Sequence, residues 1–152
     1  MATDVQIAVS RLASVNPATG EVLGELDCAG PTEVRAAAAC ARAAQPGWNA
    51  WGIRNRVQVL RRFQQNLLAS KTDIARRITQ EAGKPYVEAL LTEVLVVLDA
   101  ARFLIEHAFP VLSEEKLPHG NLAHKTKSGR ILHEPYGVIG IISPWNLSLI
   151  HI

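Results

Sequence analysis

The sequence predicts an incomplete α/β fold with a strand hairpin, four helices, a surface strand and one buried strand. The segment Asn16–Gly20 combines Pro and Gly as a tight turn does, between apolar residues. Between residues 31 and 109, apolar residues recur at helical spacing. Val138–Ile142 is β-branched apart from Gly140 and is bounded by turn residues, which is typical of a strand buried on both faces.

The composition is that of an ordinary globular protein. The chain has 152 residues, 48% of them hydrophobic and 20% charged, with a net charge of +2. That charge is too small to indicate a nucleic-acid or membrane partner, and no apolar run reaches the ~18 residues of a membrane span. Met1–Ser10 lacks the pattern of a secretory signal, and two cysteines do not indicate a disulfide framework. We therefore expect a cytoplasmic protein.

The first 70 residues are predicted to hold an arm, the hairpin and two helices. Residues 1–13 are expected to form a loosely held N-terminal arm, and Val15 and Val22-Leu23 to flank the turn. The first helix is predicted from Pro31 to a stop at Pro46-Gly47, and the second from about Asn55 to Ser70. Their apolar faces are predicted to be, in order, Val34, Ala37, Ala38, Ala41 and Ala44, then Val57, Leu60, Phe63 and Leu67.

A third helix is predicted over residues 71–81 and a fourth from Tyr86 to Phe109, ended by Pro110. Apolar residues occupy more than half the circumference of the fourth helix. Because such a helix needs partners on several sides, part of the protein is expected to be missing. Lys84 lacks the glycine spacing and the Ser or Thr of a phosphate loop. Glu88 and Glu93 lie five apart, which does not place them on one α-helical face as paired carboxylates.

The remaining polar side chains do not form a recognisable binding motif. Arg54, Arg56, Arg61 and Arg62 lack interleaved aromatic residues and are predicted to form a solvated helix face. The loop predicted from Ser113 to Ser128 contains His119 and His124, whose spacing and neighbours do not suit a metal site. Residues 125–133 show a weak alternation of polar and apolar side chains, which predicts a strand with one buried face.

Three motifs in order carry a family resemblance. GVIGIISPWN (137–146), NPATGEVLGEL (16–26) and EAGKP (81–85), the last followed by Glu88, Ala89 and Glu93, resemble segments of the aldehyde dehydrogenase superfamily. The resemblance runs from about Ser14 to Asn146. It implies that residues 14–146 form the N-terminal portion of a cofactor-binding domain with its first Rossmann-like strand. It also implies that residues from about 112 to 135 belong to an oligomerisation arm. By the same resemblance, the full-length protein is expected to form a homo-oligomer.

The resemblance also implies the chemistry. Members of the superfamily attack an aldehyde with a cysteine thiolate, pass a hydride to NAD or NADP and hydrolyse the thioester. By the same resemblance, Asn146 is the catalytic side-chain donor to the oxyanion, and Ile142, Ser143, Pro144 and Trp145 line the nicotinamide-ribose side of the cofactor. An uncharged amide just past the carboxyl end of a buried strand suits such a donor.

The pattern departs from the superfamily after Asn146. The nucleophile and the general base lie beyond that position in the family, and Cys28 and Cys40 match neither, so the chain alone is expected to be inactive. Residues 147–152, LSLIHI, resemble a translated sequencing adapter and are predicted to be non-native. Two alternatives stay open: an acyl-CoA or acyl-phosphate reductase on the same fold, and a non-catalytic helical interaction module.

Overall fold

A computed structural model describes residues 11–118, 120 and 127–142. Those residues form two antiparallel hairpins and a set of packed helices. The strands are β1 Arg11–Val15, β2 Val22–Asp27, β3 Glu115–Leu117 and β4 Gly129–Ile131. The helices are α1 Pro31–Ala50, α2 Gly52–Ala69, α3 Lys71–Ala82, α4 Tyr86–Ala89 and α5 Leu95–Leu112, with a single π-helical turn, Leu90–Val94, joining α4 to α5.

The predicted N-terminal hairpin is confirmed. β1 pairs with β2 so that Arg11 lies opposite Asp27, and the register shifts between Ser14 and Val15. The amide of Gly20, at φ 73°, donates to the Asn16 carbonyl over 2.8 Å and closes the turn. Strand β1 begins inside the segment predicted to be an arm, and residues 1–10 of that arm lie outside the described residues.

The predicted helix stops at two prolines are wrong. Helix α1 continues through Pro46 to Ala50, and α5 continues through Pro110 to Leu112. A proline inside a helix removes one i→i−4 hydrogen bond, but its fixed φ stays near the helical value, so the backbone on both sides can remain helical. Gly52 follows the end of α1 at φ 78°, a conformation that glycine adopts without steric cost.

The core lies between α2, α3 and the long helix formed by α4, the π turn and α5. Its central cluster is Leu67, Ala75, Ile78, Ala89 and Val94. The side-chain amide of Gln64 on α2 donates to the Leu98 carbonyl on α5 over 3.1 Å, which links the two helices at this point.

Part of the predicted apolar packing is absent from the described residues. Helix α1 buries none of its side chains, and Val34 is 57% exposed. Phe63 on α2 is also exposed, although Val57 and Leu67 from the same predicted stripe are buried. These positions agree with a fold whose helices lack some of their partners. None of the described helices has the length and apolarity needed to cross a membrane.

The fourth predicted helix exists, but it is not uniformly α-helical. Within the π turn the Leu95 amide donates to the carbonyl of Leu90, five residues back. One residue is thereby added to a turn, which rotates the side chains before it relative to those after it. Periodicity alone did not predict this interruption.

The buried strand predicted at Val138–Ile142 is wrong for this chain. Among residues 132–142 the structure has no strand, and Ile139, Ile141 and Ile142 are 69%, 81% and 99% exposed. A buried parallel strand needs neighbours for its backbone groups and layers for both its faces. The described residues supply neither. The surface strand predicted over 125–133 is present in part, as β4 paired with β3.

Candidate functional site

Most of the residues predicted to carry chemistry are beyond what the structure describes. Ser143, Pro144, Trp145 and Asn146 lie outside the described residues, as do the loop histidines and residues 147–152. Ile142 is described and its side chain is 99% exposed. Because the described residues place no wall opposite it, they do not by themselves fit a dinucleotide.

The segment leading to Ile142 encloses a groove. Residues 132–139 lie near the end of α1 and the start of α2 around a volume of about 530 Å³. Trp48, Asn49 and Arg56 contribute to its helical side, and Tyr136 to the other. Within the described structure, Nε of Arg56 is buried and has no hydrogen-bond partner. Arg56 thus lines the groove and also has a buried donor atom without a partner among the described residues.

The arginines of α2 do not behave alike, which corrects the prediction of a uniformly solvated face. Arg61 and Arg62 are exposed as predicted, whereas Arg56 is half-buried. The guanidinium carbon of Arg54 lies 4.0 Å from the centre of the Phe109 ring. Arg54 thus contacts the end of α5 through a cation–π interaction.

The EAGKP segment builds the best-defined polar arrangement among the described residues. Nζ of Lys84 donates to Oε1 of Glu93, and the two side chains are 20% and 3% exposed. The pair lies beside the central apolar cluster, since Val94 of the π turn is fully buried. A buried carboxylate is costly unless a cation or hydrogen-bond donors accompany it. Lys84 provides that partner.

Backbone geometry places Lys84. Gly83 ends α3 in the left-handed conformation at φ 71°, and its amide donates to the Thr79 carbonyl over 3.0 Å. Pro85 then precedes α4, with ψ 140° outside the helical range. Lys84 is therefore held between the end of α3 and the start of α4.

The sequence does not predict this pair, because Lys84 and Glu93 lie nine residues apart, one in a loop and the other in the π turn. Taken singly, Lys84 suggests a phosphate loop and Glu93 a carboxylate pair with Glu88. Glu88 is exposed while Glu93 is buried, so these two carboxylates do not share a site. One signal is present in the sequence: Thr92 and Glu93 interrupt the apolar run from Ala89 to Leu98, and Glu93 is the only charged residue in it.

The other candidate groups show no assembled centre. The thiols of Cys28 and Cys40 are both free and exposed. Across residues 11–118, 120 and 127–142, no three His, Cys, Asp or Glu side chains could hold a metal ion.

The sequence profile of the aldehyde dehydrogenase family matches residues 5–152. The chain therefore belongs to that family. It is 35% identical over 137 residues to the mitochondrial succinate-semialdehyde dehydrogenase of Arabidopsis thaliana, an alignment covering 88% of this chain and 24% of the relative.

Two bacterial relatives are similar at the same level. The N-succinylglutamate 5-semialdehyde dehydrogenase of Chromobacterium violaceum is 33% identical over 135 residues, covering 89% of this chain and 26% of the relative. The glutarate-semialdehyde dehydrogenase of Pseudomonas putida is 33% identical over 131 residues, covering 86% and 26%. The chain spans about a quarter of the length of these relatives.

Proposed function

We propose that this chain is the N-terminal part of an enzyme that oxidises an aldehyde to a carboxylic acid with NAD or NADP. The match to the aldehyde dehydrogenase family over residues 5–152 carries this proposal. The described helices support it as well, because they expose apolar faces that a larger protein would cover. Asn146 is proposed as the oxyanion donor of the complete enzyme, with residues 142–145 beside the cofactor.

The chain alone is proposed to be inactive. No described cysteine lies in an enclosed site, since Cys28 and Cys40 are both exposed. Ile142 is expected to contact the nicotinamide-ribose part of the cofactor, but its side chain is 99% exposed. The described residues therefore do not enclose a cofactor there. Catalysis then depends on a later part of the polypeptide for the nucleophile, the general base and most of the cofactor site.

The first experiment is to sequence the source locus through the Asn146 codon with long reads and without transposase adapters. The proposal expects an open frame that continues past Asn146 into further α/β sequence with a later cysteine. A genomic frame that reads LSLIHI and stops there would contradict it.

The second experiment tests Asn146 in the protein encoded by the complete frame. Asn146→Ala is expected to lower kcat for aldehyde oxidation about 10²–10³-fold, as loss of one oxyanion donor does elsewhere. Asn66→Ala, at an exposed position on α2, is the matched control and should leave kcat unchanged. Equal effects of both variants would argue against the assignment of Asn146.

The names of the three relatives suggest a narrower substrate class. Each is named for a semialdehyde, which carries an acid group besides its aldehyde. We propose that the complete enzyme takes a semialdehyde with a distal carboxylate. Its kcat/KM for succinate semialdehyde should exceed that for butyraldehyde, which has the same chain length without the carboxylate. A preference for butyraldehyde would reject this substrate class while leaving aldehyde oxidation intact.

A further inference from the structure

The π turn decides which side chains of α4 face α3. Val94 is fully buried, and Ala89, five residues earlier, is fully buried as well. In an uninterrupted α-helix the residue sharing a face with Val94 would be Leu90, four residues earlier. Leu90 is half-buried at the side of the cluster. The π turn therefore places Ala89, rather than Leu90, in the packed position.

The packed position at residue 89 accommodates only a small side chain, because α3 lies close to it. Ala75 on α3 is fully buried and belongs with Ala89 and Ile78 to one cluster. Two small residues let α3 and α4 approach each other closely. Rotating Leu90 into this position would add three carbon atoms to a filled space, and overpacking of this kind is destabilising.

The Lys84–Glu93 ion pair spans the same turn. Lys84 lies before α4, whereas Glu93 lies inside the π turn. Gly83 fixes the loop that carries Lys84, because a Cβ there would lie 2.9 Å from Cγ of Pro17. A change to the α register would rotate α4 by about 100° relative to α5, since each helical residue turns that far. The ion pair could not survive that rotation with the loop held in place.

We propose that the Lys84–Glu93 ion pair positions α4 by selecting the π register, which keeps Ala89 and not Leu90 against α3. A buried ion pair contributes little net stability compared with well-packed apolar side chains, but it tolerates few geometries. The ion pair therefore acts in the same direction as the packing of Ala89 against α3, because it too is lost when α4 rotates. This inference concerns the folded chain and does not rest on the proposed enzymatic function.

The test compares thiol reactivity at the two competing positions. In the 152-residue chain with Cys28→Ser and Cys40→Ser, single variants Ala89→Cys, Leu90→Cys and Ala101→Cys are labelled with a maleimide. Each is prepared with the ion pair present and with Lys84→Met and Glu93→Leu together. Ala101 is 4% exposed on the buried face of α5, beyond the π turn, and serves as the matched control.

With the ion pair present, Cys at 89 should react at least about tenfold more slowly than Cys at 90, since only local opening exposes it. In the apolar double variant the labelling rate of Cys at 89 should rise until it equals or exceeds that of Cys at 90, while Cys at 101 stays protected. An unchanged ratio would overturn the proposal. Faster labelling at all three positions would overturn it too, because that result indicates general loosening instead of a register change. Fast labelling at 89 in the chain that retains the ion pair would show that the π register is not selected at all.

Discussion

Pro17, in the turn of the first hairpin, lies against Gly83 at the end of α3. A Cβ built on Gly83 would lie 2.9 Å from Cγ of Pro17, closer than real Cβ contacts allow. Gly83 also has φ 71°, in the left-handed region. Gly83 thus ends α3, directly precedes Lys84 and lies against the turn of the N-terminal hairpin. These constraints explain why glycine is required at this position.

Gly83→Ala is therefore expected to destabilise the chain. The left-handed conformation costs a non-glycine residue about 1–2 kcal/mol, and the contact with Pro17 adds to that cost. Gly47→Ala is the matched control, because Gly47 lies inside α1 with nothing within 4 Å of its Cβ position. That change should stabilise by about 0.5–1 kcal/mol. Denaturant unfolding measures both, and equal effects would contradict the role assigned to Gly83.

Lys84→Met is expected to lower the free energy of unfolding by about 3 kcal/mol, near the low end for breaking a buried ion pair. The low end is chosen because the Lys84 side chain is 20% exposed and water screens it in part. Adding Glu93→Leu should recover part of the loss, since the buried carboxylate is then gone. Lys71→Met, at an exposed position, is the control for loss of a lysine and should have little effect. A double variant as unstable as the single one would argue against this account.

The contact between Arg54 and Phe109 is expected to contribute about 0.5–1 kcal/mol, as exposed cation–π pairs do. A double-mutant cycle of Arg54→Ala and Phe109→Ala in chemical unfolding measures this coupling energy. A second cycle pairs Arg61→Ala with Phe109→Ala and should show none, because Arg61 is on the exposed part of α2. Coupling in both cycles would indicate a general charge effect instead of the ring contact.

The exposed face of α5 is expected to drive self-association of the isolated chain. Val96 and Phe103, two turns apart on one side of the helix, are 57% and 60% exposed. Val96→Gln with Phe103→Gln should lower the weight-average mass seen in sedimentation at high concentration, since the apolar area available for association falls. The control is Val34→Gln on α1, where the residue is equally exposed but lies on another helix. Association that persists in the double variant but disappears with Val34→Gln would assign the surface to α1.

Local sequence patterns predicted the elements well where short-range chemistry decides the outcome. The Asn16–Gly20 turn and the existence of α2 and α3 each follow from a few neighbouring residues. Pro46 and Pro110 do not end their helices, because each removes a single backbone hydrogen bond while its fixed φ stays helical. The π turn was missed because periodicity reports an average face and not the insertion of a single residue.

The sequence by itself determined the N-terminal hairpin, the series of helices and the family to which the chain belongs. Only the tertiary structure decided that Val138–Ile142 does not form a strand here, since a parallel strand exists through its neighbours. It also decided that Lys84 pairs with Glu93, because their contact depends on the helix rotation at the π turn and on Pro17 packing against Gly83. Patterns along the chain record what each residue prefers, whereas an ion pair between two elements depends on how those elements are placed.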